Sequence, residues 1–203
     1  MTTLSTISRG LLAAALATVL HSTAIAAPTS TRFEPAVQVA GSRLQLNGAG
    51  TRFKAVFKVY DLGLYTARKV GGSDELMALP GAKRLQFTAL RELTSTDLGR
   101  QLLRGMADNM PRELIQKHAL ASSQLIDVFS RRPRLNPGDA FSIDFIPGKG
   151  IQFFFQGQPQ GEPMGDAEFF NMVLSIWFGP QPADLALRDA MLGREKAPDR
   201  RIE

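Results

Sequence analysis

The chain of 203 residues is long enough for one domain with a full hydrophobic core, and its formal net charge is +5. It contains no cysteine, which excludes disulfides, thiol nucleophiles and thiolate metal sites. The sequence shows no basic face with interleaved aromatic residues, so the mild positive charge indicates solubility rather than nucleic-acid binding.

The N-terminal segment has the pattern of a secretory signal peptide. Arg9 supplies a positive charge, an apolar run of 11 residues extends from Gly10 to Leu20, and Ala24-Ile25-Ala26 fits a small-residue cleavage site. Crossing a bilayer needs about 20 apolar residues, so this run is too short for a transmembrane helix. We predict a signal peptide over residues 1–26, a flexible lead-in over 27–34 and export to the bacterial periplasm, with an uncleaved N-terminal anchor as the alternative.

The first part of the remaining chain, residues 36–69, is typical of β-strands. Apolar residues alternate with polar ones, and Val59 and Tyr60 form a β-branched and aromatic pair. Within this stretch we predict a glycine turn, Gly48-Ala49-Gly50, that places Arg52 at the start of a strand. No later segment is apolar enough to be a transmembrane helix.

The rest of the chain predicts a sequence of helices and strands that ends in a charged tail, residues 195–203. The order of strands, a helix pair, a hairpin and further helices indicates an α+β fold, with an antiparallel sheet covered by helices on one face. The predicted elements are a weak helix over 73–79, a strand over 83–93, a helix capped at 94–97, a helix from Pro111 that ends before Arg132, a hairpin over 141–156, a helix over 166–178 and a last helix over 182–192.

The sequence lacks the common motifs for cofactors and metals. After residue 26 the one histidine is His118, and with no cysteine a zinc site would have to use carboxylates around it. Gly48-Ala49-Gly50 is not followed by the third glycine or the helix of a dinucleotide fingerprint. We therefore predict no cofactor and no metal.

Arg52 is the strongest candidate for a binding residue. A guanidinium is always charged and presents a rigid fork of donors, which suits a carboxylate or an enolate-like oxygen. The alternative is a strand residue in a weak surface ion pair.

Several motifs follow one another along the chain: Leu46-Asn47-Gly48-Ala49-Gly50-Thr51-Arg52, Phe57-Lys58-Val59-Tyr60, Gly63-Leu64-Tyr65, Pro80-Gly81-Ala82-Lys83-Arg84, Pro137-Gly138-Asp139, the helix from Phe170 to Gly179, and Leu192-Gly193. Together they resemble the chalcone isomerase-like family, and within it the bacterial secreted branch. The resemblance covers residues 35–193 and implies an open-faced β-sandwich with a ligand cleft between sheet and helices. It also implies either cyclisation of chalcones or binding of fatty acids without catalysis.

The resemblance assigns Arg52 to the cleft arginine that holds a ligand oxyanion or a fatty-acid carboxylate. Asp61 stands at the position of a cleft threonine that helps to place a water in isomerases; alternatively, it pairs with a nearby cation. Tyr60 and Tyr65 are further candidates for ligand contact, or they pack as strand aromatics.

On the helices, the resemblance places apolar residues where isomerases carry polar ones. Leu98 replaces a tyrosine, Gly105 an asparagine and Ile176 a threonine, and Asn109 is a nearby candidate if the helical alignment slips by a turn. Loss of hydrogen-bond donors around a developing oxyanion typically costs orders of magnitude in rate. These departures argue against chalcone cyclisation.

Three functions remain open at this point. The first is a non-catalytic periplasmic protein that binds a fatty acid or a similar amphipathic carboxylate through an arginine. The second is an intramolecular lyase, an isomerase of unknown substrate. The third is a structural or adaptor protein with a vestigial cleft. The protein partner, oligomeric state and pathway are not indicated.

Overall fold

The computed structural model describes residues 29–194, which form a curved antiparallel sheet of seven strands with helices packed on one face. The strand order is β1-β2-β3-β4-β7-β8-β9, and β5 and β6 pair separately. The strands are β1 (Ala36–Val39), β2 (Ser42–Lys54), β3 (Phe57–Thr66), β4 (Lys83–Ala89), β5 (Leu93–Thr94), β6 (Arg134–Leu135), β7 (Ala140–Ile146), β8 (Gly150–Phe155) and β9 (Gln158–Met164). The helices are α1 (Ser73–Ala78), α2 (Ser95–Asn109), α3 (Arg112–Lys117), α4 (Ala119–Ser130), α5 (Ala167–Phe178) and α6 (Leu185–Met191). The predicted α+β class is confirmed.

Side-chain alternation along the central strands creates two chemically different faces. Leu62, Leu85, Phe87 and Ile143 belong to the main core beneath the helices. Their sequence neighbours point to the other face, which we call the outer face. The two-residue period of the strand sequences therefore places one face of the sheet against the helices.

Gly48 and Gly50 lie inside β2 rather than in a turn, so the predicted glycine turn is wrong. A Cβ on Gly48 would lie 2.2 Å from the carbonyl oxygen of Ala190, and one on Gly50 would lie 2.9 Å from Cβ of Ala190. The glycines therefore allow α6 to lie directly on the strand. The chain reverses later, at Ala55 and Val56, where Ala55 has a φ of +52°.

Residues 29–35, which include most of the predicted lead-in, lie along the outer face. Phe33 packs over Gly63, where a Cβ would come within 2.8 Å of its ring, and the backbone carbonyl oxygen of Glu34 accepts a hydrogen bond from the Tyr65 hydroxyl at 2.9 Å. Tyr65 belongs to a second, smaller core with Val39, Leu44 and Ala82. This segment closes part of the outer face against water.

Helices α2 and α5 begin at side-chain caps that the sequence predicts. The backbone N–H of Asp97 donates to Thr94 at the start of α2, and that of Phe169 donates to Asp166 at the start of α5. The helix predicted from Pro111 is divided into α3 and α4 because His118 leaves helical geometry (φ −102°, ψ 21°). Within residues 29–194, no helix has both the length and the apolar character needed to cross a membrane. The predicted signal peptide and charged tail lie outside the described residues.

Candidate functional site

A cleft of about 210 Å³ opens between the helix-covered face of the sheet and helices α2 and α5. Its interior is mainly apolar, and we call it the inner chamber. Its walls include Phe87, Phe141, Ile143, Leu98, Leu102 and Ile176. A chamber of this composition suits the apolar part of a small ligand.

Arg52 lies at the border of the inner chamber, near the end of β2. Its Nη1 donates to the carbonyl oxygen of Phe53 at 2.9 Å and to Oδ2 of Asp184 at 3.3 Å. The side chains of Arg52 and Asp184 are 22% and 14% exposed. A guanidinium carries five N–H donors, and both of these hydrogen bonds use Nη1. Neither hydrogen bond uses Nε or Nη2, whose N–H groups are available to the neighbouring Tyr60 phenol and to an anion in the cleft.

Asp184 fixes the position of Arg52. Its carboxylate also accepts hydrogen bonds from the backbone N–H of Phe53 at 3.2 Å and of Leu187 at 3.1 Å, the latter as the cap of α6. The same carboxylate thus joins the end of β2 to the start of α6. Because two backbone N–H groups hold it, the carboxylate presents a rigid partner to the guanidinium.

Tyr60 lies opposite Arg52 in the β2–β3 register and lines the same chamber. Its phenolic oxygen accepts a hydrogen bond from Nε1 of Trp177 at 2.9 Å. Burial raises the pKa of Tyr60, although the Trp177 N–H and the charge of Arg52 partly oppose that rise. The phenol therefore keeps its proton at neutral pH and can donate it to a ligand oxygen.

Leu98 and Ile176 also line the inner chamber, on α2 and α5 respectively. Gly105 lines it as well and lets the two helices approach, since a Cβ there would lie 2.8 Å from Cγ2 of Ile176. The structure thus brings together Arg52, Tyr60, Leu98 and Ile176 from the predicted ligand-binding set.

Asp61 and Tyr65 do not line the cleft, because both lie on the outer face of β3. Asp61 is fully buried there, where it accepts hydrogen bonds from Thr51 Oγ1 at 2.5 Å and from the backbone N–H of Thr31 at 2.6 Å. The physical reason is strand alternation: since Tyr60 faces the helices, the residues one and five positions later face away. Asp61 and Tyr65 are therefore better described as outer-face core residues.

Asn109 is a structural clamp at the end of α2. Its amide nitrogen donates to the carbonyl oxygens of Gly105 and Gln181, and its amide oxygen accepts from the backbone N–H of Gln181 at 2.7 Å. These hydrogen bonds hold the Asn109 side chain against the loop after α5, so it does not serve as a ligand contact.

The sequence analysis missed the polar rim of the cleft and the partner of Arg52. Gln101, Arg104 and Asp108 line the cleft on α2 beside Leu98 and Gly105. From Leu98 the steps to Gln101, to Arg104 and to Asp108 are three, three and four residues, and this spacing was the available signal, since such residues share one helix face. Asp184 could not be paired with Arg52 from sequence because 132 positions separate them.

A second, wider space of about 550 Å³ adjoins the inner chamber, and we call it the outer chamber. The two chambers share Arg52, Leu98, Gln101 and Arg104. The outer chamber has five basic wall residues against two acidic ones, Glu92 and Asp97; the basic residues are Arg52, Lys54, Arg91, Arg100 and Arg104. Its potential favours an anionic group, whereas the inner chamber favours an apolar one.

One group of side chains in the described residues has the composition of a metal site. Ligand-capable atoms of His118, Asp166 and Glu168 lie within 4.8 Å of one another. Glu168 contacts both Lys117 and His118 Nε2, and Asp166 caps α5. These existing contacts account for the arrangement without an ion, and the group is separate from the cleft.

Comparison with known families gives a match to the chalcone isomerase-like family over residues 28–193, most of the chain. The chain belongs to the chalcone isomerase-like family. The family and fold expected from the sequence are thereby confirmed, while the assignment to a bacterial secreted branch stays a prediction. No curated protein matches the chain in sequence.

Among solved structures, this chalcone isomerase-like protein is similar to a fatty-acid binding protein of Arabidopsis thaliana. The two share 14% sequence identity with a TM-score of 0.62, over 79% of this chain and 91% of the plant protein. At this identity the likeness concerns the fold: a curved antiparallel sheet with helices on one side.

Proposed function

We propose that this chalcone isomerase-like protein binds a fatty acid or a similar amphipathic carboxylate and releases it unchanged. The observation that carries the proposal is a preoriented guanidinium, that of Arg52, at the border of an apolar chamber. The name of the similar plant protein supports the same ligand class.

The carboxylate is placed between two donors. Arg52 supplies charge-assisted hydrogen bonds, which are about twice as strong as neutral ones. Tyr60, opposite it in the register, supplies an O–H whose oxygen already accepts from Trp177. Each donor is held by a partner of its own, so little side-chain ordering is needed when the ligand binds.

The acyl chain occupies the inner chamber. Its volume of about 210 Å³ lies below the range of roughly 300–1,000 Å³ typical of small-molecule pockets. We therefore expect a medium chain such as octanoate to fit better than palmitate, whose distal part would have to displace wall residues.

Chalcone cyclisation is disfavoured by the same walls. Leu98, Gly105 and Ile176 place no side-chain donor around a developing oxyanion, and such donors supply much of the catalysis in oxyanion chemistry. The one observation that favours an enzyme is the pair of donors on Arg52 and Tyr60, which could hold an enolate. An intramolecular lyase is therefore the second candidate, to be tested by turnover of chalcones and simpler enones above the buffer rate.

The binding proposal is tested by calorimetric titration with octanoate, laurate and palmitate, using wild type and Arg52→Gln. We expect the substitution to weaken carboxylate binding about 10- to 100-fold, since a hydrogen bond to a charged group contributes about 1.5–3 kcal/mol. Binding of the uncharged alcohol octanol should change far less.

The matched control is Arg84→Gln, which disrupts another shielded ion pair. Arg84 Nε and Nη2 each donate to Asp144 at 2.6 Å, but this pair lies on the outer face. It should lower stability while leaving carboxylate affinity unchanged. Equal affinities of wild type and Arg52→Gln would refute the arginine anchor, and organic extracts of wild type without acyl ligand, together with no titration signal, would refute carboxylate binding.

We also propose that the protein acts in the bacterial periplasm, on the basis of the residue pattern over 1–26. N-terminal sequencing of the protein recovered from cells tests this location. A mature N-terminus at Ala27 is expected, whereas retention of Met1 would contradict it.

A further inference from the structure

The tip of the β2–β3 hairpin, residues 53–57, exposes an unusual cluster of apolar side chains. Phe53, Val56 and Phe57 are 42%, 82% and 63% exposed. Among the described residues, six large hydrophobic side chains are exposed, and half of them lie in this tip. Single exposed apolar residues are normal, but a contiguous cluster marks an interaction surface.

Basic residues alternate with the aromatic ones at this tip. Lys58 is directly opposite Phe53 and Lys54 is directly opposite Phe57 in the hairpin register. Directly opposed residues lie on the same face of a strand pair. Each face of the tip therefore combines one aromatic ring with one ammonium group.

The tip is continuous with the mouth of the outer chamber. Lys54 belongs to both, and the exposed side chains of Arg91, Arg100 and Arg104 extend the basic surface along the chamber wall. Among the described residues, neither Lys54 nor Arg91 forms a salt bridge. This edge of the molecule therefore combines protruding apolar groups with a positive potential.

We propose that the hairpin tip inserts into the headgroup region of an anionic lipid bilayer, which places the mouth of the outer chamber on the membrane. Aromatic side chains seek the apolar boundary of a bilayer, and lysine and arginine interact with anionic headgroups. A stable protein interface needs roughly 1,200–2,000 Å² of buried surface, whereas a narrow two-residue turn with flanking rings has the shape of an inserted wedge.

The proposal goes beyond the carboxylate site and can fail independently of it. Docking would give an amphiphile a short path between bilayer and cleft, but contact with lipid requires only the tip and the basic edge. The experiments therefore measure vesicle contact, and ligand titration is a separate measurement.

The first experiment uses the absence of cysteine from the chain. Val56→Cys allows one environment-sensitive fluorophore to be attached at the tip, and Lys149→Cys places the same label in the exposed β7–β8 turn as a matched control. With vesicles of phosphatidylcholine and phosphatidylglycerol, we expect a blue shift from the label at position 56 and none at position 149. Pure phosphatidylcholine should give a smaller effect. An unchanged spectrum at position 56 with anionic vesicles would overturn the proposal.

The second experiment compares vesicle partitioning of variants that share one N-terminus with the wild type. Lys54→Gln/Lys58→Gln should partition about 25-fold more weakly at low salt, since each basic residue near an anionic surface contributes a factor of about five. Val56→Ser/Phe57→Ser should also lose vesicle binding while retaining carboxylate affinity. Lys149→Gln and Leu120→Ser, which alters another exposed apolar side chain, are the controls.

Circular dichroism of each variant separates loss of the surface from loss of the fold. If correctly folded tip variants partition like the wild type, the proposal is wrong. It is also wrong if the label at position 56 ignores vesicles but shifts when the protein is concentrated, because the tip would then be a contact between protein copies.

Discussion

Trp177 on helix α5 donates its indole N–H to the phenolic oxygen of Tyr60 on strand β3, across 2.9 Å of buried space. The hydrogen bond joins the helix layer to the sheet at a wall of the cleft. The ring of Phe87 lies 5.4 Å from both aromatic rings and fills the space beside them. A polar contact within an otherwise apolar cluster therefore fixes the direction in which the Tyr60 hydroxyl points.

Tyr60→Phe should destabilise the protein by about 1–3 kcal/mol, because the Trp177 N–H would remain buried without its acceptor. Urea unfolding of Tyr60→Phe, Trp177→Phe and the double variant measures the coupling between the two side chains. We expect the double variant to lose less than the sum of the single losses. Strict additivity would show that the hydrogen bond does not contribute to stability. Carboxylate affinity should also fall in Tyr60→Phe, since one of the two proposed donors is removed.

Gly48→Ala should cost about 3 kcal/mol, the upper end of the usual range for overpacking. The added Cβ would lie 2.2 Å from the carbonyl oxygen of Ala190 and 2.7 Å from that of Met191, and backbone atoms cannot move aside as a side chain end can. Since Asp184 caps α6, a shift of this helix should also loosen the partner of Arg52 and weaken carboxylate binding.

The control for this prediction is Gly71→Ala, because a Cβ at Gly71 meets nothing within 4 Å. Thermal unfolding and carboxylate titration of both variants provide the measurement. A Gly48→Ala protein as stable as Gly71→Ala would contradict the close packing of α6 on β2.

The fold was predictable where one physical period governs a segment. Residues such as Leu85 and Phe87, and Phe141 and Ile143, alternate with polar neighbours, and this pattern alone places one face of the sheet beneath the helices. The role of Gly48 was not predictable in the same way. Glycine is common in turns, and its use for close helix packing depends on α6, about 140 positions later.

The candidate site could be predicted in part for similar reasons. Arg52, Tyr60, Leu98 and Ile176 line the cleft, and their contact with a ligand stays a prediction. Tyr60 and Asp61 are consecutive in a strand, so they could not both face one cleft, and the period of two should have separated them. Neither the ion pair to Asp184 nor the basic outer chamber leaves a local pattern, because each is assembled from distant segments.

Ile176→Ala should enlarge the inner chamber and move the preferred acyl chain toward greater length. Ile176 is 4% exposed and lines the cleft, so truncation should cost about 2–5 kcal/mol of stability. Titration with octanoate and palmitate gives the ratio of affinities, which should shift toward palmitate relative to wild type. Leu125→Ala, which truncates a fully buried α4 residue outside the described cleft lining, controls for destabilisation. The same ratio in both variants would place the acyl chain elsewhere.

Stability should fall at alkaline pH because both tyrosines of the chain are buried. Burial raises the pKa of Tyr60, and it raises the pKa of Tyr65 to about 12 against the opposing charge of Arg84. The unfolded chain ionises its tyrosines near the ordinary pKa of about 10. The folded state therefore binds more protons than the unfolded state between about pH 10 and 12. The stability from this source is complete below about pH 10 and is lost as the pH rises toward the folded pKa.

Two measurements check this prediction together. Ultraviolet titration of phenolate should show little ionisation in the folded protein near pH 10, and urea unfolding at a series of pH values should show a declining free energy above it. Tyr65→Phe should flatten the decline, because it removes the group whose folded pKa is about 12. It also removes the hydrogen bond from the hydroxyl to the carbonyl oxygen of Glu34, so its stability at neutral pH should be lower. Phenolate that appears at pH 10 while the protein is still folded would contradict the burial of these side chains.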